Sequence, residues 1–140
     1  WSIHSEYQDN LFMLSLSRGG QTIWLSDVDA EKIGVADNDW IEAVNRNGVV
    51  AARAIVSHRM PEGTVYMHHA QDRLIDVPLT ETNGWRGGIH NSLTRIMMKP
   101  SHMIGGYAQF AYFFNYIGPT GNNRDEVTMI RRRANQNVEY

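Results

Sequence analysis

The sequence contains no cysteine. Disulfides, cysteine-bound zinc, iron–sulfur ligation and a thiol nucleophile are therefore excluded within it. Lysine is nearly absent: Lys32 and Lys99 stand alone, and every other Lys/Arg position is arginine. Neither sign of charge dominates, with 13 Lys+Arg against 15 Asp+Glu and a formal net charge of −2. This excludes a nucleic-acid binder that works through bulk positive charge. No apolar run approaches the ~20 residues that a membrane-spanning helix needs. The chain opens on Trp1-Ser2-Ile3, with neither an initiator Met nor a signal-peptide pattern, and reads as a fragment of a longer chain.

What remains suffices for one domain with a core: 140 residues, 42% of them hydrophobic. The apolar run Leu11–Ser17, ended by Arg18-Gly19-Gly20, reads as a buried strand and a turn. Thr22–Leu25 is a second short strand. Ser26 or Asp27 caps a helix of about two turns that stops at Gly34. Asp39–Asn45 and Val49–Ser57 flank Asn47-Gly48, which predicts a tight hairpin with φ > 0 at the turn. Thr64–Met67 is a strand after the turn Pro61-Glu62-Gly63, and Gln71–Gly88 reads as a long loop. Asn91–Met98 fits a helix or a strand. Glu126–Arg132 is the last strand, and the tail from Ala134 is expected to fray. Many short strands, one short helix and long Gly-rich connections point to a closed β-barrel.

The sequence holds no Gly-x-Ser-x-Gly elbow, no P-loop and no Gly-x-Gly-x-x-Gly. Its six histidines lack the i, i+4 spacing of a helical zinc site. Asp125-Glu126 suits a solvated strand start better than an acid–base pair. Glycine pairs recur at Gly19-Gly20, Gly87-Gly88 and Gly105-Gly106, two of them after arginine. Each is a plain turn or a place where backbone approaches a ligand, and singly the turn is the simpler reading. Together with Trp1–Ser5, His69-Ala70-Gln71, Arg86–Ser92 and Phe114-Asn115-Tyr116, they supply hydrogen-bonding side chains and exposable backbone N–H groups. That mixture suits a polar, multi-ring, phosphate-bearing ligand. Arginine suits planar, bidentate phosphate recognition.

Longer stretches carry a resemblance. They are Trp1-Ser2-Ile3-His4-Ser5 with Asp9-Asn10, Arg18-Gly19-Gly20, His69-Ala70-Gln71, and Arg86-Gly87-Gly88-Ile89-His90-Asn91-Ser92. His102-Met103-Ile104-Gly105-Gly106-Tyr107-Ala108, Phe114-Asn115-Tyr116 and Asn123-Arg124-Asp125-Glu126 complete the set. The chain resembles the C-terminal molybdopterin-dinucleotide-binding domain of respiratory nitrate reductase alpha subunits, in the DMSO-reductase superfamily. The resemblance implies a mainly β fold, a double-psi β-barrel with short helices and long loops, over residues 1–133, with 134–140 as a tail. It implies binding of molybdenum bis(molybdopterin guanine dinucleotide). His4 would approach the distal pterin, and His69 and His90 the proximal one. Ser5, Asn91, Ser92 and Asn115 would contact pterin, phosphate or guanosine. The family's molybdenum ligand and a [4Fe-4S] cluster belong to parts of the subunit outside this sequence, so no residue here is assigned to metal and none as catalytic.

The implied function is nitrate reduction to nitrite. The implied partners are the rest of the alpha subunit, an iron–sulfur beta subunit and, indirectly, a quinol-oxidising membrane subunit, on the cytoplasmic face of the membrane. No nucleic acid is expected, and the isolated fragment is expected to be inactive. A reductase of chlorate, perchlorate or selenate, and a stand-alone barrel acting as an interaction module, are the alternatives.

Overall fold

In a computed structural model, residues 10–16, 18, 21–68, 78–86, 88, 90–93, 96–98, 109–111 and 127–137 are described. Helix α1 spans Leu11–Leu16, strand β1 Thr22–Leu25, helix α2 Asp27–Ile33, β2 Trp40–Val44, β3 Val49–Val56 and β4 Val65–Met67. A 3-10 turn at His90–Ser92 precedes β5 (Ile96–Met98), β6 (Gln109–Ala111) and β7 (Met129–Arg132). The protein is mainly β, as expected. Five strands form one mixed sheet in the order β4-β1-β3-β2-β7, and β5 pairs with β6 separately.

Strand β3 is central, parallel to β1 and antiparallel to β2. Its composition explains this. Val49-Val50-Ala51-Ala52 is buried throughout, as a strand covered on both faces requires. One face carries the core: Ile23 and Leu25 of β1, Ile41 and Ala43 of β2, and Val50, Ala52 and Ala54 of β3, with Ala30 and Val35. The intervening residues, Trp40, Glu42, Ala51 and Arg53, point to the other face by the period-two alternation of strands.

Helix α2 forms as the sequence predicts. The Ser26 hydroxyl accepts from Asp29 N at 3.0 Å, and Gly34 closes the helix in the left-handed region at φ 65°. Asp29 is held below its ordinary pKa, first by the Gly63 N–H and then by the Ser26 hydroxyl. The ion pair of Lys32 with Glu62 and the Gly63–Asp29 hydrogen bond tie α2 to the turn before β4.

Three local expectations are corrected. Leu11–Leu16 is a helix, not a buried strand, with Leu11, Phe12 and Leu16 exposed. Asn10 Oδ1 accepts from Phe12 N, an N-cap interaction that the apolar pattern conceals. The stretch from Asn91 is neither helix nor strand throughout; the 3-10 turn gives way to β5. Residues 134–137 do not hang free. Glu81 accepts from Ala134 N and Asn135 N, and the Gln136 amide both accepts from Trp40 N and donates to Trp40 O.

Candidate functional site

The candidate site is built where the β2–β3 hairpin meets the Gly88–Leu93 segment. The hairpin turn folds around Asn45. Its Oδ1 accepts from Asn47 N at 2.8 Å and Gly48 N at 3.2 Å, while Asn45 N donates to Gly48 O. The amide nitrogens of Asn45 and Asn47 remain as donors. Both donate to one acceptor, the Leu93 carbonyl, at 2.8 and 2.9 Å. The Leu93 N–H donates to His90 O and closes the 3-10 turn, while the Leu93 side chain packs against the core. The turn carrying His90, Asn91 and Ser92 is thus fixed through its backbone.

Gly48 corrects the hairpin expectation. Neither Asn47 nor Gly48 has a positive φ. Glycine is needed there because a Cβ would run into the Ser92 carbonyl oxygen, well inside contact distance. The requirement is a close approach of two backbones. Gly48→Ala should cost about 1–3 kcal/mol through overpacking. Chemical denaturation of the 140-residue chain checks this; an unchanged midpoint would mean that the hairpin and the turn are not in contact.

Gly88 does adopt the left-handed region, at φ 71°. A Cβ there would lie 2.5 Å from Ser92 Oγ and 2.9 Å from Val49 O. Gly88 therefore serves the packing of the segment on itself and on β3. The Gly88 carbonyl accepts from Gln21 Nε2 at 3.0 Å, and the same nitrogen donates to Ala51 O at 2.8 Å. Gln21 is 5% exposed, and its Oε1 is buried without a partner among the described residues. Gln21 links the end of the Arg18-Gly19-Gly20 stretch to the segment that bears His90.

The Arg18 guanidinium is already engaged. Its Nη1 donates to Asp37 Oδ1 at 2.9 Å and lies 3.4 Å from Ala54 O. Burial raises the Asp37 pKa, but the bonds from Arg18 and Val56 N outweigh it and leave the carboxyl below its ordinary range. In this arrangement Arg18 buttresses the chain rather than presenting a bare cation. Tyr66 on β4 and His68 just after it meet edge to face at 4.9 Å, with the hydroxyl 3.4 Å from His68 Nδ1. Burial lowers the His68 pKa, so the ring before His69 favours its neutral form.

Of the sequence-derived site residues, His90 and Ser92 are half-buried on one turn with Asn91 between them. His4, Ser5, His69 and Asn115 lie outside the described residues. Gln21, Asn45 and Asn47 are the side chains that sequence reasoning missed. Asn45 was read only as the end of the segment before the turn, Asn47 only as part of the turn, and Gln21 stood between a Gly pair and a strand. A polar residue directly before an apolar strand was the available signal for Gln21.

The family model for the molydopterin dinucleotide binding domain matches residues 1–111. The nitrate reductase alpha subunit of Mycobacterium tuberculosis (strain ATCC 25618 / H37Rv) is 66% identical over 140 residues, which is 100% of this chain and 11% of that one. Respiratory nitrate reductase 1 alpha chain of Escherichia coli (strain K12) is 57% identical, over 96% of this chain and 11% of that one. Perchlorate reductase subunit alpha of Dechloromonas aromatica (strain RCB) is 34% identical, over 94% of this chain and 13% of that one. Among solved structures, acetylene hydratase from Pelobacter acetylenicus aligns with a TM-score of 0.41 at 18% identity, over 58% of this chain and 11% of that one. The chain thus spans about a ninth of the length of the first relatives it matches. On the match to residues 1–111, it belongs to the molydopterin dinucleotide binding domain family.

Proposed function

We propose that this chain is the C-terminal cofactor-binding domain of a respiratory nitrate reductase catalytic subunit. The carrying observation is the 66% identity, over the whole chain, to a nitrate reductase alpha subunit. Nitrate ranks ahead of other oxyanions because the relative named for perchlorate reaches only 34%. The mixed sheet around β3 is then part of a double-psi β-barrel.

The residues present fit molybdenum bis(molybdopterin guanine dinucleotide). Gln21 holds the Gly88 carbonyl through Nε2 and leaves Oε1, on the other side of its amide, as a buried acceptor without a partner among the described residues; a ligand rich in ring N–H groups supplies donors of the matching kind. His90, Asn91 and Ser92 lie on one braced turn, and their residue types match a polar ligand that needs imidazole, amide and hydroxyl partners. His4, Ser5, His69 and Asn115 complete the set by their segments. When bound, the group supplies two-electron redox chemistry at molybdenum. The role of this chain is to orient the pterin and nucleotide through hydrogen bonds. A neutral or protonated imidazole at His90 donates to ring nitrogens or oxygens.

In the same reading, the rest of the alpha subunit supplies the metal ligand and a [4Fe-4S] cluster. An iron–sulfur beta subunit brings electrons from a quinol-oxidising membrane subunit, and the complex lies on the cytoplasmic face of the membrane. The test is molybdenum, pterin and GMP analysis of the purified full-length subunit, with nitrite formation from a reduced dye. Metal and dinucleotide together with nitrite production are expected, and the isolated 140-residue chain should form no nitrite. A loaded subunit that reduces chlorate, perchlorate or selenate but not nitrate would move the assignment to that oxyanion. A subunit without pterin would point to a barrel serving as an interaction module.

A further inference from the structure

We infer that Gln21 is a positioning residue for the dinucleotide, locking the Gly88–Leu93 segment against the sheet before any ligand arrives. The inference rests on the functional reading above for what the segment holds, and on geometry alone for how it is held. Strand β1 begins at Thr22. Arg53 N donates to Gln21 O at 2.9 Å, and Gln21 Nε2 donates to Ala51 O at 2.8 Å. The side-chain amide therefore stands in for the next strand N–H and carries the β1–β3 ladder one step further. Its second hydrogen reaches Gly88 O. One buried NH2 group thus pins a left-handed glycine peptide to the central strand.

The orientation of the amide is fixed by its partners. Both neighbours are carbonyl oxygens, so only the nitrogen can face them; a flipped amide would set oxygen against oxygen. Oε1 must then point away from both, and there it is buried with no partner among the described residues. An unpaired buried acceptor works against the fold. A residue serving only to fill space would do better as an apolar side chain of the same length. The NH2 group is what the site uses, and what it fixes is the segment bearing His90, Asn91 and Ser92. The opposite side of that segment is held by Asn45 and Asn47 through Leu93 O. With both ends pinned through carbonyls, ordering cost is met during folding rather than during binding, which is how preorganisation raises affinity.

The test uses the full-length subunit, wild type and Gln21→Met, which keeps length and removes both donors together with the Oε1 acceptor. Hydrogen exchange of the 88–93 amides in the cofactor-free subunit should quicken by about tenfold in the variant. A peptide covering α2 should be unchanged. Molybdenum and GMP should leave the loaded variant about tenfold faster. Gln21→Glu, which sets a carboxylate against both carbonyls, should be at least as impaired. If Met matched wild type within about twofold in exchange and in retention, Gln21 would be a space-filler and the inference would be overturned.

A measurement on wild type alone covers the case in which neither variant folds. The 88–93 amides should already be protected without cofactor and change little on loading. Protection that arises only on loading would overturn the inference. A wild-type subunit that carries no dinucleotide would instead overturn the functional reading, and exchange in the cofactor-free protein would still decide the role of Gln21.

Discussion

Glu42→Ala should lower the stability of the chain by about 3–5 kcal/mol, the usual cost of breaking a buried ion pair. Glu42 is fully buried on the face of the sheet opposite the core. Its carboxylate accepts from Glu81 N at 2.5 Å, Thr82 Oγ1 at 2.5 Å and Thr82 N at 3.2 Å, and pairs with Arg131 Nη2 at 2.9 Å. Arg133, itself buried, lies 3.6 Å away. One side chain thus joins β2 to β7 and to the 78–86 segment. The loss should fall toward the lower end, since Arg131 is 38% exposed and water screens it. Melting should drop by on the order of 10–15 °C. A drop of only a degree or so would mean that the network contributes nothing net. Burial pushes the Glu42 pKa up, but the bonds from Thr82, Glu81 N and Arg131 outweigh it and leave the carboxyl below its ordinary value. The Asn135 and Ala134 N–H groups lower Glu81, and Arg132 lowers Asp39. A depressed carboxylate contributes stability that is present above its unfolded pKa, about 4, and is lost as pH falls through the folded value. Wild type should therefore lose stability steeply below about pH 4, and Glu42→Gln should show a shallower acid limb.

The strands were legible where side chains declare their burial. Val49–Val56 reads as a hairpin strand because Val, Ala and Ile fill every position but Arg53, and both faces are in fact largely covered. Ser26 and Gly34 mark α2 because capping chemistry is local. Leu11–Leu16 misled because exposure is not written in an apolar run: the same residues bury in a strand or lie open on a short helix, and only the Asn10 cap discriminates. The tail misled for the converse reason. Ala134–Gln136 looks polar and terminal, yet its anchor, Glu81, is over fifty residues away along the chain.

The candidate site was legible as segments and hidden as geometry. His90-Asn91-Ser92 stood out through its resemblance, and the structure sets it on one braced turn. The braces did not stand out, because an amide that holds a carbonyl many residues away has no local spacing. Gly48 shows the difference between a motif and its cause. Asn47-Gly48 does mark a hairpin, but the glycine answers to the Ser92 backbone and not to a positive φ. Arg18 is similar: its charge suggested phosphate, and the fold spends it on Asp37.

In the full-length subunit, His90→Ala should leave folding and assembly largely intact while weakening cofactor retention and shifting the molybdenum potential. His90 is half-buried on a turn whose backbone is held by Asn45 and Asn47 through Leu93 O, so the turn persists without the imidazole. Only its first residue changes. A hydrogen bond to a charged or strongly polar group is worth about 1.5–3 kcal/mol, which corresponds to roughly 10–150-fold in retention. Such a bond also tunes the electronics of the ring system to which it is made, so potential and turnover per molybdenum should move together. A histidine that merely packs the loop behaves differently: its removal lowers the melting temperature and leaves the potential where it was. The deciding measurement is a redox titration of the molybdenum signal in wild type and His90→Ala at matched occupancy, with melting curves of both. Equal potentials and equal turnover per molybdenum would remove His90 from the cofactor-binding set. The same titration on His69→Ala tests the other histidine assigned to the proximal pterin, and if both face that ring the two shifts should share a sign.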